Sequence, residues 1–200
     1  MEAAAVSHAE HHGPPPANRS SRVDPSLLGM GLFIISEVMV FGAFFTAYFF
    51  IRVVQGAEWP AEGEHLPKVI AGVNTAILIS SSFTLHWAEH GVKTNNRFAL
   101  KAGILSTFLL GLTFLFVQIN EYVHIGFAPS DFAQASVFYG LTGLHGAHVF
   151  VGLTLLLMVV VRSWRGHYSV EEHRGVEVPG IYWHFVDVMW IVVFLTVYVL

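Results

Sequence analysis

A single carboxylate interrupts the first long apolar run of this chain. Glu37 lies near the centre of the segment GLFIISEVMVFGAFF. An ionised carboxylate would be poorly solvated in such surroundings, so we expect Glu37 to be protonated or paired. Two roles fit the residue. It could handle protons or contact lipid, or it could form a hydrogen bond that packs one helix against another.

Two histidines interrupt a later apolar run, TGLHGAHVFVG. His145 and His148 are three residues apart and therefore share one face of a helix. Gly143, Gly146 and Gly152 beside them allow another helix to approach closely. A histidine pair can bind haem or copper if a facing helix supplies further ligands, but it can equally hydrogen-bond across helices. The pattern favours the structural role.

The segment YWHFVDVMW places His184 and Asp187 on one helical face. A histidine and an aspartate in contact can neutralise each other, which would lower the cost of keeping both in hydrocarbon. Tyr182, Trp183 and Trp190 are of the residue types that concentrate where membrane and water meet. We therefore expect the three aromatic side chains to anchor this segment at the interface.

The segment QINEYVH carries Gln118, Glu121 and Tyr122 within one turn of a predicted membrane edge. Water reaches that level of a bilayer, so a carboxylate there keeps its charge at little cost. We expect Glu121 to be interfacial, and a structural role is the simpler interpretation.

Transmembrane helices are the elements that must position these residues. Apolar residues make up 54% of the chain and charged residues 12%, against about a quarter charged in soluble domains. Each apolar run is long enough to cross a bilayer, and continuous runs indicate helices, since barrel strands alternate. We predict an all-α bundle of five transmembrane helices, at about 26–53, 67–89, 98–122, 132–162 and 179–200.

The remaining sequence limits the function further. The chain has no cysteine, which excludes disulfides and thiolate metal sites, and its net charge of −4 gives no nucleic-acid signal. Residues 1–25 are polar, contain three consecutive prolines and lack the apolar segment of a secretory signal. We predict a disordered tail there, with His8, His11 and His12 solvated, followed by one membrane domain over residues 26–200.

Lysine and arginine are distributed unequally between the two sides of the predicted helices. Two of them, Arg52 and Lys68, fall on one side. Eight fall on the side of the N-terminus: Arg19, Arg22, Lys93, Arg97, Lys101, Arg162, Arg165 and Arg174. Cytoplasmic loops carry the excess of these residues, so we predict a cytoplasmic N-terminus and an external C-terminus.

These features alone fit a transporter, a cofactor-bearing subunit or a structural subunit. The sequence resembles subunit III of the haem-copper terminal oxidases, the cytochrome c oxidase family, over nearly everything after about Leu28. Five segments carry the resemblance: GLFIISEVMVFGAFF, NTAILISSSFTLHWA, QINEY, VFYGLTGLHGAHV and YWHFVDVMW.

The resemblance implies a subunit without catalytic or metal-binding residues, because haem and copper in this family belong to subunits I and II. Such a subunit packs against subunit I near its proton-uptake pathway, beside subunit II and in some complexes a small subunit IV. It supports proton uptake and the stability of the complex, and it binds phospholipids. The resemblance also implies that the protein lies in a bacterial cell membrane.

Residue roles carry over by position. Glu37 resembles the family's buried, carbodiimide-reactive carboxyl. Arg162, Arg165 and His173 occupy positions near lipid phosphates, which suits cationic groups at an interface, although they could serve only to set the topology. The resemblance implies a structural role for the other polar residues within the membrane. These are His145, His148, His184, Asp187, Gln118 and Glu121.

The chain also departs from its relatives. Many family members have seven helices, and this chain lacks the first two, so one wall of the family's lipid cleft is missing. Three alternatives stay open: subunit III of a quinol oxidase, an accessory subunit of a nitric oxide reductase, and an independent proton-coupled transporter. The last is disfavoured because the sequence shows no inverted repeat and no paired broken helices.

Overall fold

The structure is a computed structural model and describes residues 25–54, 66–169 and 173–200. It contains five long helices and, in these residues, no strand. α1 spans Pro25–Phe49 and continues as a π-helical turn to Val54; α2 spans Lys68–Lys93; α3 spans Arg97–His124; α4 spans Ala133–Trp164; and α5 spans Arg174–Phe194 and continues as a π-helical turn to Val199.

All five helices are long and apolar enough to cross a membrane. The predicted fold class, an all-α bundle of five membrane-spanning helices, is therefore confirmed. The side on which each terminus lies stays a prediction. The predicted N-terminal tail, with His8, His11 and His12, lies outside the described residues except for Pro25.

α5 begins at Arg174, five residues before the predicted start of the fifth span, and contains Pro179. Proline has no N–H to donate, so the carbonyl of Gly175, four residues earlier, loses its helical partner. The Tyr168 hydroxyl donates a hydrogen bond to that oxygen at 3.3 Å. This contact satisfies the carbonyl that the proline leaves free.

The turn between α2 and α3 shows how two helices join in a few residues. Asn95 adopts a left-handed backbone conformation, with φ of 57°, which asparagine tolerates better than most residues. Asn96 then caps α3 by accepting a hydrogen bond from the Ala99 N–H at 3.1 Å. Because the turn is this short, α2 and α3 lie antiparallel and pack along their length.

Helices α2, α3, α4 and α5 form a closed ring, in which each contacts the next and α5 returns to α2. α1 lies outside this ring, against α4 and α5. The indole of Trp183 on α5 fills the ring interior between two glycines. A Cβ atom at Gly111 would overlap that indole, and one at Gly152 would lie 2.8 Å from it.

The expected interfacial position of Tyr182, Trp183 and Trp190 is wrong. Trp183 and Trp190 are fully buried, and Tyr182 is 2% exposed. Each side chain donates a hydrogen bond to an acceptor inside the protein, so its polar atom does not need water. The Trp183 N–H donates to Ser81 at 2.9 Å, and the Trp190 N–H donates to Thr75 at 2.9 Å. The Tyr182 hydroxyl donates to the carbonyl of His148 at 3.1 Å.

Candidate functional site: polar contacts inside the membrane span

Glu37 on α1 contacts His148 on α4. Oε2 of the glutamate lies 2.9 Å from Nε2 of the histidine. Their side chains are 19% and 10% exposed, so both are shielded but Glu37 reaches the outer surface of the bundle.

The second ring nitrogen of His148 fixes the protonation of this pair. Nδ1 lies 2.8 Å from the carbonyl oxygen of Leu144. A carbonyl can only accept a hydrogen bond, so Nδ1 carries a proton. The contact with Glu37 then contains one further proton, which sits either on Nε2 or on the carboxyl. The pair is neutral overall in both forms, which suits a position within hydrocarbon.

His145 does not join His148 at a common site. Its ring is fully buried between Phe114 and Trp190, with ring centroids 5.8 Å and 4.7 Å away. Neither ring nitrogen has a hydrogen-bond partner among the described residues. The two histidines share one side of α4 but have different neighbours. His148 contacts α1, and His145 faces the interior of the ring.

His184 and Asp187 are joined through a third residue. Ser82 on α2 donates to Oδ2 of Asp187, and its oxygen lies 3.2 Å from Nδ1 of His184. The expected His–Asp contact is thus bridged by a hydroxyl, which can donate to one group while accepting from the other. Sequence reasoning missed Ser82, although it belongs to the run Ser80–Ser82 on an apolar helix.

Glu121 differs from its expected interfacial setting. It is 5% exposed, and the Tyr198 hydroxyl donates to its Oε1 at 2.5 Å. Gln118, one turn earlier on α3, is 2% exposed, and its amide lies near the Tyr198 hydroxyl. The neighbouring Tyr122 donates to Thr142 on α4 at 2.8 Å. Tyr198 was also missed, because a tyrosine near the end of an apolar run resembles an interfacial anchor.

A groove lies between α4 and the start of α5. Its volume is about 320 Å³, and its lining includes Ser26, Met158, Arg162, Tyr168, Arg174 and Pro179. The Arg162 guanidinium stands 5.6 Å from the centre of the Tyr168 ring. Burial raises the pKa of the Tyr168 hydroxyl, and the positive charge of Arg162 opposes that rise.

Only one of the three predicted lipid-contact residues lines this groove. Arg162 lines it, whereas Arg165 and His173 do not. Arg165 is exposed beyond the end of α4, and His173 caps α5 through its backbone oxygen, which accepts from the Val176 N–H at 2.9 Å. Arg174 lines the groove instead. In the sequence, Arg174 contributes only to the predicted orientation.

The described residues place no three His, Asp or Glu side chains together as a metal site. What the bundle does hold is a set of paired or buried polar side chains on helices α1 to α5. The fold and these contacts define an integral membrane protein of the all-helical class, in which polar contacts join neighbouring helices.

Similarity to known proteins identifies the family. Residues 18–200 match the family described as cytochrome c oxidase subunit III. The cytochrome c oxidase subunit 3 of Thermostichus vulcanus is 39% identical over 199 residues, which is 99% of this chain and 94% of that protein. That of Synechocystis sp. is 43% identical over 192 residues, covering 95% and 78%. That of Drosophila yakuba is 40% identical over 176 residues, covering 85% and 67%.

This chain belongs to the cytochrome c oxidase subunit III family. The resemblance found in the sequence is confirmed. The chain is a membrane-embedded part of a cytochrome c oxidase complex, and its family is that of a subunit without redox centres of its own.

Proposed function

We propose that this chain is a non-catalytic subunit of a proton-pumping terminal oxidase that oxidises cytochrome c and reduces O2 to water. Haem and copper would belong to subunits I and II, with a small subunit IV where one is present. This chain would contact subunit I directly and support its stability. The observation that carries the proposal is the match to subunit III over residues 18–200.

A role in proton uptake is supported by Glu37 and His148. The two side chains share one proton, and moving it between Oε2 and Nε2 changes no net charge. The transfer interconverts a neutral pair and an ion pair, and the direct contact of the two groups limits the cost of that ion pair in hydrocarbon. Glu37 also reaches the outer surface of α1.

A role in phospholipid binding is supported by the groove between α4 and α5. Arg162 and Arg174 supply two cationic side chains, and Met158 and Pro179 supply apolar walls. The two arginines suit a lipid phosphate, and the apolar walls suit an acyl chain. On the predicted orientation, the groove opens at the cytoplasmic face of a bacterial cell membrane.

Purification of the tagged chain from native membranes in mild detergent tests the main proposal. We expect haem and copper to copurify, with a reduced-minus-oxidised spectrum typical of a terminal oxidase and turnover with cytochrome c. Turnover with a quinol alone would assign the complex to the quinol oxidases. Non-haem iron in place of copper would favour a nitric oxide reductase, and a colourless chain without partners would favour a transporter.

Two arginine variants test the lipid site separately. Arg162→Gln removes a groove cation, and Arg165→Gln removes the same charge outside the groove. We expect Arg162→Gln to lower the phospholipid retained by the purified complex, while Arg165→Gln leaves it near the wild-type value. Equal retention in the two variants would remove the groove as the lipid site without affecting the assignment to an oxidase.

A further inference from the structure

Polar and ionisable side chains form a stripe along the contact between α2 and α5. It consists of Ser82, His86 and Glu89 on α2 and His184 and Asp187 on α5, and we call it the α2–α5 stripe. Ser82 bonds both His184 and Asp187. Further along, the Glu89 carboxyl packs against Gly180, which has no side chain to displace it.

The α2–α5 stripe is open to the outside of the bundle. His86 is exposed, and Ser82, Glu89 and His184 are half-buried. Within the described part of the chain, Glu89 makes neither a hydrogen bond nor an ion pair, although it lies near His184. At a rise of about 1.5 Å per residue, Glu89 lies about 6 Å, and His86 about 10 Å, from the end of α2. By the same measure, His184 lies about 15 Å from the start of α5.

Two outward-facing hydroxyls on other helices are satisfied within their own helix. On α1, the Thr46 hydroxyl donates to the Gly42 carbonyl of its own helix at 2.8 Å. On α4, the Thr154 hydroxyl donates to the Phe150 carbonyl at 3.0 Å. The largest exposed side chains on these helices are apolar, such as Met39 at 71% and Phe150 at 63%. Those surfaces suit lipid, whereas Glu89 and His86 offer unused hydrogen-bonding groups.

We propose that the α2–α5 stripe is the docking surface for a transmembrane helix of another oxidase subunit. That helix would present a basic or hydroxyl-bearing side chain to Glu89 and His184. The Glu89 carboxyl has unused hydrogen-bond acceptors near the predicted membrane edge, and a positive or hydrogen-donating side chain of the partner helix would satisfy them. The inference rests on the proposed function, since it needs the assembled complex.

A lipid serves this surface poorly. Acyl chains have no hydrogen-bonding groups, and a head group stays near the membrane edge, whereas His184 lies about 15 Å from the start of α5 by the helix rise. A helix, in contrast, reaches every level of the bilayer. The exposed apolar side chains beside the stripe, Phe83 at 73% and Val188 at 58%, would pack against the same helix.

The absence of cysteine from the chain permits a direct test. His86→Cys places one thiol on the stripe. Leu157→Cys is a depth-matched control, because Leu157 is 47% exposed and is as far from the end of α4 as His86 is from the end of α2. Each variant is purified as the intact oxidase, with haem and copper content checked first, and treated with a membrane-soluble maleimide. Absence of haem and copper from the wild-type preparation would count against the proposed function, whereas labelling in an intact complex tests the docking surface alone.

We expect assembly to slow labelling at His86→Cys by about tenfold relative to the chain released from the complex, because packed interfaces exclude reagents. Labelling at Leu157→Cys should change little. A bifunctional thiol reagent should join His86→Cys to a membrane-spanning subunit. Fast labelling in the intact complex, equal protection at both positions, or cross-linking to lipid only would each overturn the proposal.

A charge variant tests the chemistry of the partner. Glu89→Gln removes the carboxylate from the stripe, and Glu177→Gln removes one from the first turn of α5 outside the stripe. We expect Glu89→Gln to weaken retention of the chain in the complex by about tenfold, as for loss of a charge-assisted hydrogen bond. Glu177→Gln should leave retention unchanged. Equal retention of both variants would rule out a positive partner for Glu89.

Discussion

α1 and the ring of α2 to α5 are held in different ways. The ring closes around buried tryptophans, with Trp183 between Gly111 and Gly152 and two indole N–H groups bonded to α2. α1 buries only Phe41 and Tyr48 among the residues of its α-helix. Its polar contacts with the rest of the protein include Glu37 with His148 at its middle and Arg52 with the Leu200 carbonyl at its end.

This difference shows where the stability of a membrane bundle comes from. Lipid is as apolar as leucine, so burial of apolar surface from water does not drive helices together. The ring therefore relies on close van der Waals packing, which its glycines allow. α1 has little such packing, and its attachment depends more on individual hydrogen bonds. The two regions should respond differently to the same type of substitution.

Gly111→Leu is expected to have the largest effect, because any side chain there meets the Trp183 indole. Forcing a large side chain into a packed interior costs about 1–3 kcal/mol or more. Gly42→Leu on α1 is the matched control, since no atom lies within 4 Å of its added Cβ. Thermal unfolding of the purified chain in detergent measures both. Similar unfolding temperatures for the two variants would show that α1 and the ring are equally packed.

A smaller effect is expected at the contact between α1 and α4. His148→Leu leaves the Glu37 carboxyl without its partner, and polar contacts of this kind in membranes contribute about 0.6–1.7 kcal/mol. Glu37→Gln keeps a hydrogen bond, because its amide can donate to Nε2 of a neutral histidine, so the oxidase should assemble with it. A double-mutant cycle on unfolding in detergent measures the coupling of the pair. Zero coupling would mean that apolar packing alone attaches α1.

The smallest effect is expected at the start of α5. Tyr168→Phe removes the hydroxyl that serves the Gly175 carbonyl, at a cost of about 0.5–1.5 kcal/mol. Hydrogen exchange of the first two turns of α5 should increase while exchange in the ring interior stays unchanged. A uniform increase through the ring would show that this end is not independent of the packed interior.

The same contact should depend on pH. Burial raises the pKa of Tyr168 above its ordinary value near 10, so the folded state holds the proton more tightly than the unfolded state. Its stabilising contribution is complete below the ordinary value and is lost as the pH rises through the folded value. The start of α5 should therefore loosen at alkaline pH in the wild type, and Tyr168→Phe should remove that dependence.

The sequence predicted the number and type of helices because long apolar runs in a membrane leave little choice of structure. It did not predict where α5 begins. Pro179 resembles a start signal, and its toleration inside the helix depends on Tyr168, which lies eleven residues away. Helix ends in this protein depend on contacts between segments, which local patterns do not contain.

The sequence identified most residues of the candidate site but not the contacts between them. Glu37 and His148 were both singled out, but nothing in their spacing indicates that α1 packs on α4 and joins them. The tryptophans of α5 were placed at the interface because their residue type is common there. Their acceptors, Ser81 and Thr75, lie on a different helix, so only the packing of α2 on α5 shows that Trp183 and Trp190 are buried.

The position of Trp183 also constrains how the protein is made. The N-terminal helices leave the ribosome first, so α2, α3 and α4 can reach the membrane before α5 does. Until then, the space between Gly111 and Gly152 lacks the indole that fills it, and Ser81 lacks its donor. The arrival of α5 would therefore close the ring in a single step.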